Sequence, residues 1–230
     1  RGDTMYVGCI YEGDLYVVDV SDKANPVNLG NVGTPSDFTH NAWVSDNGNY
    51  VFTTDEVSDA YLGSYDISDL NNIQEIDRIQ SNPGSNSIPH NTHVDGNFII
   101  TSYYRDGTVV HDITNPHNLI EVAHYDSSPL SGDGFDGCWG TYPFLPSGNI
   151  ISSDINSGNN NNGRLLIYSR DFLQACYLEG NVSDITNSNP ITNATVEILN
   201  SVLTVQTSTD LSGNYMTGIA NSSSYDIVFS

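Results

Sequence analysis

Short apolar runs separated by Asp-, Asn-, Ser- and Gly-rich turns continue along almost the whole chain. No stretch carries the i, i+3, i+4 apolar spacing of an amphipathic helix, so the pattern predicts strands joined by tight turns. Two phrases recur in this pattern. Val18-Asp19-Val20-Ser21-Asp22 returns as Tyr65-Asp66-Ile67-Ser68-Asp69 and as His111-Asp112-Ile113-Thr114-Asn115, with the Asp residues 47 and 46 positions apart. In step with it, His40-Asn41-Ala42-Trp43-Val44 returns 50 residues later as His90-Asn91-Thr92-His93-Val94. A fainter third copy is Asp136-Gly137-Cys138-Trp139-Gly140. Aligning Trp139 with Trp43 and His93 puts Asp136 where His40 and His90 stand.

Each period reads as four short antiparallel strands, for the second period residues 41–44, 50–54, 61–66 and 75–78. Four strands per repeat of about 40–50 residues is the sequence signature of a β-propeller blade. The runs Leu15-Tyr16-Val17-Val18 and Phe98-Ile99-Ile100-Thr101 fit strands covered on both faces by neighbouring blades. The expected fold is therefore all-β, a partial propeller of about four blades, each of four antiparallel strands. A β-sandwich is the competing architecture, but sandwich strands do not repeat a phrase at a near-constant interval.

The phrase Leu15-Tyr16-Val17-Val18-Asp19-Val20-Ser21-Asp22 with Asn25-Pro26-Val27 resembles the LVIVD repeat of bacterial and archaeal surface propellers. The His-Asn-x-Trp-Val segment followed by Thr53-Thr54-Asp55-Glu56 resembles the related propeller of the choice-of-anchor B family of secreted proteins. These resemblances imply a propeller over residues 1–175, a secreted or cell-surface location, and a chain that continues upstream into further blades. After Phe172 the period breaks. Gly180-Asn181-Val182-Ser183-Asp184, Asn189-Pro190-Ile191-Thr192-Asn193-Ala194-Thr195-Val196 and Thr209-Asp210-Leu211-Ser212-Gly213-Asn214-Tyr215 resemble the carboxypeptidase-regulatory-like domain. That resemblance implies a small, truncated transthyretin-like β-sandwich over residues 176–230 in a non-catalytic accessory role. Related adhesin domains form a Lys–Asn isopeptide bond, which residues 177–230 cannot form because they contain no Lys.

Charge narrows the partners. Six basic against 28 acidic side chains give a net charge of −22 over 230 residues. Such a chain lacks the clustered Lys and Arg that neutralise phosphates, so nucleic acid is excluded as a partner and anionic lipid disfavoured. No apolar run is long enough for a membrane span. The acidic, Asn-rich balance fits an extracellular protein whose ligand is a glycan or another protein. Cys9, Cys138 and Cys176 are an odd set without metal-knuckle spacing, leaving one bridge, Cys138 to Cys176, as the pairing to check.

The residues that could carry chemistry are His40, His90 and Asp136. Equivalent positions in successive blades lie side by side around a propeller channel, and two imidazoles with a carboxylate form an adequate ligand set for Zn²⁺, Fe²⁺ or Cu²⁺. His93 follows His90 by an odd offset and points to the other face of its strand. The competing reading is that the His-Asn dipeptides tie strand ends together by hydrogen bonds. Asp55 and Asp154 hold matching places after the second strand of their blades, where they would orient the histidines, bind a hard cation such as Ca²⁺, or cap turns. Asp154-Ile155-Asn156-Ser157-Gly158-Asn159 has part of a calcium-loop pattern, and residues 159–162 read as an insertion. The expected function is a binding or display module, with a metal-dependent enzyme as the alternative.

Overall fold

The computed structural model describes residues 1–155, 163–201, 205–220 and 223–230. Its elements are all strands: β1 Thr4–Cys9, β2 Asp14–Asp19, β3 Val27–Gly33, β4 Thr39–Val44, β5 Tyr50–Asp55, β6 Leu62–Asp66, β7 Gln74–Ile79, β8 Pro89–Asp95, β9 Phe98–Tyr103, β10 Gly107–Asp112, β11 Ile120–Tyr125, β12 Gly137–Tyr142, β13 Ile150–Ile155, β14 Arg164–Tyr168, β15 Cys176–Asn181, β16 Thr195–Leu199, β17 Val205–Ser208, β18 Asn214–Ile219 and β19 Asp226–Phe229. The chain divides into two compact units, one of Arg1–Leu119 with Ala123–Asp171 and one of Ile120–Val122 with Phe172–Ser230.

The first unit is the partial propeller. Its antiparallel sheets follow chain order as β1-β2-β3, β4-β5-β6-β7, β8-β9-β10-β11 and β12-β13-β14. The innermost strands β4, β8 and β12 lie beside one another in sequence order, as expected for blades around an axis. Two sheets have the expected four strands and two have three. The first repeat shows why: its recurring phrase lies on β2, where the later sheets carry theirs on the third strand, so β1 corresponds to the second strand of a full blade.

Packing between blades supplies the core. On β5, Val51 turns toward Leu15 and Val17 of the first sheet, while Phe52 turns toward Val94 and Ile99 of the third. Strand alternation thus buries both faces of one sheet, and all six of these side chains are almost wholly buried. The recurring Asp residues do a different job. Asp19, Asp66 and Asp112 each accept, through Oδ1, the backbone N–H two residues on, at 2.8, 2.8 and 2.7 Å. Hydrogen bonds from Ser21, backbone and then hydroxyl, and from Ser68, hydroxyl and then backbone, hold the Asp19 and Asp66 carboxyls below the usual carboxylate range, so the turns stay charged. Much of the acidic excess is turn chemistry of this kind.

The second unit has a two-stranded sheet, β15-β18, and a three-stranded sheet, β17-β16-β19. Val196, Ile198 and Tyr215 are buried in it, and the Tyr215 and Phe229 rings meet edge to face at 5.7 Å between the two sheets. Asp210 Oδ1 accepts from the backbone of Ser212 and Asn214 and shapes the turn into β18. No helix in the described residues is long and apolar enough to cross a membrane. All three cysteines are free thiols, so the Cys138–Cys176 pairing raised by the sequence is not formed. Cys138 is wholly buried beside Thr108 Oγ1, and burial pushes its thiol up to about 11. The calcium-like stretch after Ile155 and the insertion over residues 159–162 lie outside the described residues.

Two predictions follow from the sheet interfaces. Phe52→Ala removes a ring wedged between the second and third sheets and should cost about 3–5 kcal/mol in denaturant unfolding. Asp77, on β7, accepts from the Leu119 backbone N–H at 2.6 Å, and burial pushes its carboxyl up to about 6. A group whose folded pKa lies above its unfolded value stabilises fully below the unfolded value and loses that contribution as pH rises through the folded one. The stability of the wild-type chain relative to Asp77→Asn should therefore decline between about pH 4 and 6 and level off above. Urea titrations of both proteins across that range measure it.

Candidate functional site

The site begins with a backbone irregularity. In β4 the pairing with β5 slips between Thr39 and Asn41, in β8 the pairing with β9 slips between Pro89 and Thr92, and in β12 the pairing with β13 slips between Cys138 and Gly140. The slipped ladder puts His40, His90 and Trp139 at the same position of three successive inner strands. A bulge re-aims the side chain it carries, so three neighbouring sheets deliver these rings to one place. The rings of His40 and His90 lie 4.8 Å apart, and those of His90 and Trp139 are stacked at 5.6 Å.

This register corrects the alignment made on the tryptophans, which ran three residues out of step. Asp136 precedes β12 and forms an ion pair with Arg105, whose guanidinium also donates to the Ser131 carbonyl. The carboxylate beside the two histidines is Glu56 instead. Glu56 Oε2 lies 3.4 Å from His40 Nε2 and Glu56 Oε1 lies 3.5 Å from His90 Nε2. The ligand atoms of His40, Glu56 and His90 all fall within 4.8 Å of one another, the one such group of three among the described residues. Glu56 was legible in principle, since it follows β5 directly. Its neighbour Asp55 drew the attention because Asp154 matches it.

Hydrogen bonds fix the histidine tautomer. His90 Nδ1 meets the carbonyl oxygen of Trp139, which can only accept, so Nδ1 carries the proton and Nε2 presents a lone pair toward Glu56. Burial, as the largest cause, holds the His90 imidazole below its ordinary pKa and keeps it neutral. Glu56 Oε1 already accepts from the Tyr104 hydroxyl at 2.6 Å. A lone pair and a carboxylate oxygen therefore face each other with no proton between them. His40 Nδ1 is buried without a hydrogen-bond partner among the described residues.

The other predicted residues have other tasks. Asp55 is buried and accepts from Thr34 Oγ1 at 2.6 Å and the Ser36 backbone at 2.7 Å, tying the β3–β4 connector to the end of β5. Asp154 is equally buried but has no such partner among the described residues. His93 is packed against the rings of Trp43 and Phe144 at 4.6 and 5.9 Å. The hydrogen-bonding role considered for the His-Asn dipeptides is filled by both residues: Asn41 Oδ1 accepts from the Thr92 backbone at 3.0 Å, and His90 Nδ1 donates to the Trp139 carbonyl of the next sheet. The imidazole of His40 is left to face Glu56.

Around the trio stand aromatic rings. Tyr104 lies 5.2 Å from His90, and Phe135 meets Tyr104 edge to face at 5.3 Å. Gly134 makes the Phe135 turn feasible, because a side chain there would run into the Arg105 guanidinium at 2.3 Å. Beside His90 a hollow of about 250 Å³ is lined by Asn91, Trp139, Tyr142, Ser153 and Leu165 among others. Trp139 remains 51% exposed at its edge.

Comparison with known proteins places the chain as follows. The LVIVD repeat family model matches residues 1–34. No curated protein matches the chain. Among solved structures, a putative 6-phosphogluconolactonase from Bacteroides fragilis is 12% identical, with a TM-score of 0.51, the match covering 98% of this chain and 67% of that one. The periplasmic gluconolactonase of Pseudomonas aeruginosa is 14% identical with a TM-score of 0.49, covering 98% and 69%. A chain of the nidogen/laminin complex is 14% identical with a TM-score of 0.49, and this chain spans 57% of its length. At these identities the likeness concerns the fold alone. The chain is an all-β partial propeller that opens with an LVIVD repeat.

Proposed function

We propose that this chain is the ligand-binding propeller of a secreted or cell-surface protein, and that a divalent transition-metal ion held by His40, Glu56 and His90 is its binding centre. One observation carries the reading: the Nε2 lone pair of a neutral His90 faces a glutamate oxygen that already accepts a hydrogen bond from the Tyr104 hydroxyl. Two electron-rich atoms set face to face repel unless a cation lies between them. Two imidazoles and one carboxylate suit Zn²⁺, Fe²⁺ or Cu²⁺, and three protein ligands leave positions for a bound molecule. The Trp139 carbonyl that orients His90 and the Tyr104 hydroxyl that holds Glu56 are the outer partners such a centre needs.

The ligand in this reading is a glycan or an extracellular protein, met by the half-exposed Trp139 and the polar groups beside it. The second unit serves as a transthyretin-like accessory sandwich of the carboxypeptidase-regulatory type, with two facing sheets and no lysine. The coordination positions left open favour a second reading, a metal-dependent enzyme acting on a molecule bound there. Turnover by the metal-loaded protein would distinguish it from a binding module.

Elemental analysis of protein purified without chelators or immobilised-metal chromatography tests the centre. About one equivalent of transition metal per chain is expected, falling to background in a His40→Ala, His90→Ala double variant that keeps the wild-type circular dichroism. A metal-free wild-type protein that takes up no Zn²⁺, Fe²⁺ or Cu²⁺ when each is offered would overturn the proposal. Glu56→Gln should weaken binding by about 10–100-fold or more, and Tyr104→Phe by a smaller factor within the same range.

A further inference from the structure

Three connectors of the first unit close around one small hollow: residues 56–61 between β5 and β6, residues 80–88 between β7 and β8, and residues 104–106 between β9 and β10. Asp59, Ser81, Ser87 and Asp106 line it, at least one from each connector. Bonds between the connectors fix the arrangement, since the Asp59 N–H donates to the Ser87 carbonyl at 3.1 Å and the Tyr104 N–H to the Ile88 carbonyl at 3.0 Å. Gln80 Nε2 adds a bond to the Asp59 carbonyl at 2.5 Å.

The side chains of the hollow are left unsatisfied. Asp106 and Ser87 each keep only 5% of their surface exposed. Asp106 Oδ2, Ser87 Oγ and Ser81 Oγ are buried atoms without a hydrogen-bond partner among the described residues, and all three belong to this one place. Buried polar groups are nearly always paired, so three such atoms around one hollow mark a missing common partner. That partner is positive. No Lys, Arg or His lines the hollow. Arg105, the sequence neighbour of Asp106, is held by Asp136 and the Ser131 carbonyl, and the exposed His124 spends its Nε2 on the backbone carbonyl of Asp106 at 2.6 Å. Burial pushes the Asp106 carboxyl above the usual carboxylate range, against the smaller opposing effects of the Ser87 hydroxyl and the His124 charge. Asp59 brings a second carboxylate, held in place by the Gly84 backbone N–H on Oδ1 at 3.2 Å, with acceptor capacity left over.

We propose that Asp106 and Asp59, with the hydroxyls of Ser81 and Ser87, are the protein ligands of a calcium ion that ties the three connectors together, separate from the His40–Glu56–His90 centre. The hollow is too small for an organic ligand and suits a single ion. Donors that are all oxygen select a hard cation over a transition metal. Carboxylates and hydroxyls drawn from three connectors and completed by water do not enforce the regular octahedron that Mg²⁺ demands, whereas Ca²⁺ accepts such an irregular shell. The first two connectors begin with Glu56 and run into β8 with His90, and the third begins with Tyr104. The ion therefore braces the frame on which those side chains stand.

Protein stripped with EGTA, titrated calorimetrically with CaCl₂ and with MgCl₂ and followed by thermal unfolding, tests the assignment. One Ca²⁺ per chain is expected, bound at least about tenfold more tightly than Mg²⁺, with a calcium-dependent rise in unfolding temperature. Asp106→Asn should abolish both signals and Ser87→Ala should weaken them, while the His40→Ala, His90→Ala variant keeps them. Stripped wild-type protein that shows neither signal would leave the hollow to water and overturn the proposal without any variant. Calcium binding that survives in a folded Asp106→Asn protein would also overturn it, assigning the ion to the acidic surface. Should that variant fail to fold, undiminished binding in an Asp59→Asn, Ser87→Ala double variant decides against the site in the same way.

Discussion

The central sheets of the propeller are covered on both faces, and the rest of the structure follows from that constraint. Val51 and Phe52 are adjacent in sequence yet belong to different cores, one shared with the first sheet and the other with the third. A sheet so built cannot bury its apolar surface alone, so the repeats stack. Stacking brings the inner strands side by side, and only then do residues about 50 positions apart become neighbours. The face of β14 that carries Leu165, 68% exposed, has no such cover among the described residues.

The inner strands carry the chemistry because they are irregular. A regular ladder would send the side chain at position 40 or 90 along the pleat. The bulge frees it to turn toward the next sheet, and the same bulge lets Asn41 reach the Thr92 backbone. Site and seam therefore share one device. The Thr54 hydroxyl also crosses this boundary to the His90 carbonyl at 2.5 Å, so the residue that offers its imidazole is held from both neighbouring sheets.

The repeat phrases, turn chemistry and alternating strands were legible in the sequence, because each is a local pattern with a fixed period. The strands expected at residues 41–44, 50–54, 61–66 and 75–78 agree with β4 to β7 to within two residues at each end. His40 and His90 could be paired for the same reason. Asp136 could not be placed, because bulges change the count of residues along a strand and conserve no residue type. The match of Trp139 to Trp43 was plausible chemistry at the wrong register. Glu56 escaped because its partners stand on two other strands, and a pairing made across sheets leaves no spacing to read.

The scarcity of basic residues, first met as a matter of charge, also bears on how the chain meets a trypsin-like protease. A trypsin-like protease needs an extended Lys or Arg segment, and the chain offers one lysine and five arginines. Arg78 forks onto Glu75, Arg105 is clamped by Asp136 and the Ser131 carbonyl, and Arg170 is bound to Asp95 and the Pro143 carbonyl. Arg1 reaches the Ser45 carbonyl at 2.7 Å. Lys23 sits in the exposed turn between β2 and β3. Even there Asp22 pins the loop through the Ala24 backbone and the Asn25 amide, so cleavage has to wait for the turn to open.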